Sequence, residues 1–89
     1  MKARFFATPT AVSDWIENIS PGSTYEEALE DILNWSSDAS RMENGYRNGL
    51  ARYRARSPLR CFFAVDETER PLPAITAVNK PHANWRPGG

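Results

Sequence analysis

Apolar residues along this chain follow first a helical rhythm and then a strand rhythm. Val12, Trp15, Ile16 and Ile19 recur at i, i+3, i+4 and i+7, a spacing that lays them on one face of a short helix. Thr8-Pro9 opens that helix, because proline is tolerated in the first turn, and Ser20-Pro21-Gly22 closes it. Ser23 and Thr24 each have a glutamate three residues on, the capping-box spacing that satisfies the orphan N–H groups of a new helix. In the second helix Tyr25, Ala28, Leu29, Ile32, Trp35 and Ala39 fall on one side and Glu27, Glu30, Asp31 and Asp38 on another, so it is amphipathic. Ser40-x-x-Glu43 repeats the capping box. A third helix is therefore expected from Ser40 to Pro58, turning Met42, Tyr46, Leu50 and Tyr53 inward and weakened by Gly45 and Gly49 at about 1 kcal/mol each.

The period then changes to two. Leu59, Cys61, Phe63 and Val65 alternate with Arg60, Phe62 and Ala64, and the polar stretch Asp66 to Arg70 separates this run from Leu72 to Val78. That pattern predicts a β-hairpin. Pro71 and Pro73 lack ladder donors and place the start of the last strand at a sheet edge or outside the sheet. Lys2 to Ala7 suits an opening strand. The expected architecture is α+β, with N-terminal helices packed on one face of a small three-stranded antiparallel or mixed sheet. Residues 1–79 are expected to form one compact domain, and residues 80–89, which contain proline and glycine, an extended tail.

Composition narrows the class. A chain of 89 residues buries roughly 60–65 % of the surface that its unfolded form exposes, so the core is thin. Three Trp, three Tyr and four Phe supply large buried areas in a small volume. Cys61 is the only cysteine, which excludes an intramolecular disulfide and a multi-cysteine metal site and fits a reducing, cytoplasmic compartment. The longest apolar run, Cys61 to Val65, is far short of the roughly 20 residues that span a bilayer. No membrane association is expected.

Charge is neutral overall but unevenly placed. Up to Asn44 there are eight acids against three bases, a balance of −5, and from Gly45 onward eight bases against three acids, a balance of +5. Blocks of opposite sign steer association with charged partners.

Chemistry-bearing residues are few. Cys61 and His82 are the only thiol and imidazole, a pair that can in principle form a nucleophile and its base. Cys61, however, lies on the apolar side of a predicted strand, where cysteine behaves as a small core residue. One histidine and one cysteine do not complete a zinc set, the carboxylates lack calcium-loop spacing, and no glycine-rich phosphate loop follows a strand. No catalytic residue, metal site or cofactor is assigned, and no enzyme is expected.

Three binding readings follow, in this order. The acidic face of Glu27, Glu30, Asp31 and Asp38 suits docking on a partner protein with a basic surface, as an adaptor or inhibitor that occupies that surface, a nucleic-acid-processing protein being one candidate partner. The alternative is a nucleic-acid-binding regulator: Arg47, Arg52, Arg54, Arg56 and Arg60, with Tyr53 among them and no acid between Glu43 and Asp66, combine phosphate-gripping cations with an aromatic that stacks on bases. Third, the end Gly88-Gly89 resembles the diglycine terminus of ubiquitin-like sulfur carriers and protein modifiers. That resemblance implies adenylation and thioester transfer at Gly89. Those families begin with a β-hairpin, whereas Thr8 to Ile19 here reads as a helix.

Overall fold

The computed structural model describes residues 3–80. Its elements run β1 (Phe6–Ala7), α1 (Pro9–Asn18), α2 (Tyr25–Ser36), β2 (Ser40–Arg41), β3 (Ala51–Arg54), β4 (Phe62–Asp66) and β5 (Ala74–Asn79). The fold is α+β, as the pattern predicts. Among the described residues the sheet is mixed and has five strands rather than three, in the order β1-β5-β4-β3-β2. β1 and β5 run parallel, and β5-β4, β4-β3 and β3-β2 are antiparallel.

Both helices start where the capping signals place them. The Thr8 side chain accepts from Ala11 N at 3.2 Å, with Pro9 in the first turn. Thr24 accepts from Glu27 N, while Glu27 accepts from Thr24 N at 2.9 Å, closing a complete capping box. The second helix ends at Ser36 rather than Ala39. Arg4 donates to the carbonyls of Ser37 and Ala39 just beyond it, a cation at the negative end of the helix dipole.

The expected third helix does not exist. Residues 40–54 instead form β2, a loop across 42–50 and β3, with Ser40 opposite Arg54 and Arg41 opposite Tyr53. Pairing with β4, in which Ala51, Arg52, Tyr53 and Arg54 each find a partner, satisfies the segment's backbone through its neighbours. It also buries Ala51, Tyr53 and Ala55 on one side, which the helical stripe would not do. The loop turns at Gly49, whose φ of +85° glycine adopts without a Cβ penalty.

The hairpin of β4 and β5 forms as expected. It carries a bulge between Ala64 and Val65, and β5 begins directly after Pro73, so both prolines stay outside the strand. β1 is too short to cover all of β5. Past its end, Asp14 accepts from Val78 N at 3.1 Å and Asn18 donates to Val78 O at 3.3 Å. Two side chains at i and i+4 on α1 thus take the backbone groups that a longer strand would have paired.

The core lies between the helices and one face of the sheet. Val12 and Trp15 of α1 and Ala28 and Ile32 of α2 pack in one cluster with Tyr53, Phe63, Val65, Ile75 and Val78. Trp15 stacks on Phe63 with ring planes 4° apart and centroids 6.4 Å apart. Among the described residues, the opposite face of the sheet carries no helix.

Candidate functional site

Strand alternation decides which side chains reach the helix-free face. Arg52 lies opposite Ala64, and Arg54 opposite Phe62, which in turn faces Asn79. These residues project away from buried Tyr53, Phe63 and Val78. The 42–50 loop folds back over them. The Arg52 guanidinium sits 4.7 Å from the Tyr46 ring and 5.5 Å from the Phe62 ring, within range of a cation–π interaction on both. Asn79 donates to the Tyr46 hydroxyl at 3.2 Å. Arg52 Nε is buried there and has no hydrogen-bond partner among the described residues.

At one corner of this face a concavity of about 550 Å³ is lined by Ser40, Met42, Arg54, Arg56, Ser57 and Arg60. Three of the predicted arginines meet here because β3 delivers Arg54 and the turn after it, closed by Ala55 N to Cys61 O at 3.1 Å, carries Arg56 and Arg60 around the rim. Among the described residues no carboxylate lines the concavity, and Arg56 reaches it while paired with Asp38 at 3.0 Å and lying 4.8 Å over the Trp35 ring. The other basic-segment residues disperse. Arg47 is on the loop, exposed. Tyr53 turns into the core, 7 % exposed, and its hydroxyl donates to Glu67 at 2.8 Å. Burial, followed by this Glu67 contact, pushes its pKa up, and its ring cannot stack on a base.

The acidic face comes apart in a similar way. Glu27 is engaged in the capping box, and Asp38 lies beyond the end of α2 in its bridge to Arg56. Glu30 and Asp31 stay on α2 with no partner among the described residues. Gly88 and Gly89, with His82, lie outside the described residues. Cys61 is 1 % exposed, and burial pushes its thiol up to about 12, the opposite of what activates a nucleophile. Among the described residues no group of three or more His, Cys, Asp or Glu side chains could hold a metal ion, and no helix is long and apolar enough to cross a membrane.

One polar cluster went unrecognised in the sequence because its members are far apart in it. Glu67 accepts from Arg41 Nε and Nη2 at 2.9 and 2.8 Å and from the Tyr53 hydroxyl. These donors, Arg41 first, hold its carboxyl down at about 2, against an ordinary value of 4.5. A depressed folded-state pKa contributes stability that is complete above about pH 4.5 and is lost as pH falls towards 2. We expect the thermal midpoint to fall across that window and the fall to be shallower in Glu67→Gln. Identical slopes in melts from pH 5 to 2 would show that the cluster does not couple to folding.

The chain matches no protein-family model, and comparisons with curated proteins and with solved structures found no match.

Proposed function

We propose that the protein is a non-catalytic binding protein that holds a nucleic acid by its phosphates in the concavity of Arg54, Arg56 and Arg60. What carries this reading is the convergence of three arginines on one hollow with no acid among the described residues of its lining. Guanidinium groups match phosphate oxygens in charge and geometry. The hydroxyls of Ser40 and Ser57 on the same wall can add neutral donors. Binding rather than catalysis is supported by the buried, hard-to-ionise Cys61 thiol.

The test is anisotropy of fluorescein-labelled single-stranded and duplex oligonucleotides across a salt series. Three phosphate contacts give a slope of log K against log salt of about −2 for single strands and about −3 for duplex. The Arg54→Ala/Arg56→Ala variant is expected to weaken binding and flatten that slope by about 1 to 2. No binding at low salt, or an unchanged slope in the variant, removes the proposal.

A second reading keeps the partner a protein with a basic surface, engaged by Glu30 and Asp31. It is favoured by one observation, that these two of the four acidic-face residues have no partner among the described residues. It rests on two carboxylates, where the arginine hollow gathers three cations, Arg56 among them already bridged to Asp38.

A further inference from the structure

The helix-free face has a second hollow. At the corner diagonally across the sheet from the arginines, a groove of about 470 Å³ is walled by Phe6, Leu72, Pro71 and Ala74, with Asp66 and Glu69 among its lining. Phe6 is 56 % exposed, a large apolar side chain left in solvent. Hydrogen bonds from the Thr68 hydroxyl and backbone N–H hold the Asp66 carboxyl below its ordinary value, so it is ionised at neutral pH. Arg70 also lines the groove, but its Nη1 is turned to the carbonyls of Glu67 and Glu69.

One face therefore carries a hollow of three arginines at one corner and, at the other, an apolar groove whose two carboxylates outnumber its one arginine. We infer that this face pairs with the same face of a second copy of the chain. In a two-fold interface, residue i of one copy meets residue j of the other and j meets i. A face with one basic and one acidic corner is complementary to itself when a two-fold axis passes through the interface between the corners. Each arginine hollow then covers the acidic groove of the other copy, and Phe6 is buried twice. Charge complementarity selects the second copy over an external partner, since both halves of the match are present on a single chain whose formal charge is zero. The inference goes beyond the nucleic-acid reading and competes with it for the same arginines.

The experiment is sedimentation velocity of nucleic-acid-free protein, 10.0 kDa as a monomer, over a concentration series. The wild type is expected to move from monomer to dimer as concentration rises. Arg54→Glu and Glu69→Lys each place two like-charge contacts in the interface and raise the dimer dissociation constant by about tenfold or more. Their equimolar mixture restores the dimer. The new carboxylate at position 54 of one variant then meets the new ammonium at position 69 of the other, while the native Glu69 and Arg54 pair at the second contact. Circular dichroism melts confirm that each variant is folded before it is mixed. A wild type that stays monomeric throughout, variants that dimerise as it does, or a mixture that remains monomeric each overturns the inference. Because no oligonucleotide is present, none of these results bears on whether nucleic acid binds.

Discussion

Phe63→Ala is expected to destabilise the protein by about 3–5 kcal/mol. Phe63 is fully buried, stacks on Trp15, and lies between Tyr53 of β3 and Val78 of β5 in the sheet register. Truncation removes its own buried area and leaves a hole that a sheet paired on both sides cannot close. For a chain of 89 residues, total stability is on the order of 4–13 kcal/mol, so the loss is between about a quarter and all of it. Urea denaturation followed by tryptophan fluorescence measures the loss, and a change under about 1 kcal/mol would mean that the core is not centred here. Trp15→Phe is the informative contrast. Trp15 Nε1 is buried without a hydrogen-bond partner among the described residues, so phenylalanine keeps the stacked ring and removes an unsatisfied donor. It should cost clearly less than Phe63→Ala.

The second large effect is expected at Gly45. A Cβ built there would stand 2.7 Å from the backbone carbonyl oxygen of Leu50, the same oxygen that accepts from Tyr46 N at 2.8 Å to close the loop. Neither backbone can yield without opening this turn, so Gly45→Ala should cost about 1–3 kcal/mol, in the range of overpacking. It should also lift Tyr46 from Arg52 and Asn79. Gly49→Ala meets nothing within 4 Å and carries only the penalty of its positive φ, about 1–2 kcal/mol. Melts of the two variants, with the Tyr46 ring resonances followed by NMR, separate the cases. Unshifted Tyr46 resonances in Gly45→Ala would show that the loop absorbs the methyl group.

Gly45 also shows how the sequence misleads. With Ser40-x-x-Glu43 before it and Met42, Tyr46, Leu50 and Tyr53 around it, the segment satisfies a helical template. The same residues contain a competing signal: Ala51-Arg52-Tyr53-Arg54-Ala55-Arg56 alternates with period two, and Asn44-Gly45 and Asn48-Gly49 are turn pairs. The strand prevails because Ala51, Tyr53 and Ala55 then enter the core beside β4. The arginines follow the backbone: on a helix they would border two sides of a stripe, whereas on a strand and its turn Arg54, Arg56 and Arg60 gather at one hollow.

Local physics was legible in the chain. Capping pairs, proline at a helix start, the 3.6-residue rhythm of α1 and α2 and the alternation of β4 involve residues within a few positions of one another. Such signals placed both helices and the final hairpin and settled the α+β class. What only the tertiary structure decided depends on partners distant in sequence. The pairing of β3 with β4 turned an apparent helix into a strand. Asp38 met Arg56, Arg41 and Tyr53 met Glu67, and Asp14 and Asn18 capped the edge of β5. Hydrogen bonds and ion pairs of this kind form only after the chain has closed long loops, and no periodicity in sequence encodes which distant charge will arrive. The division of charge into an acidic and a basic half was plain from the residues. Chain closure sorted those charges, among the described residues, into two bridges and an arginine hollow.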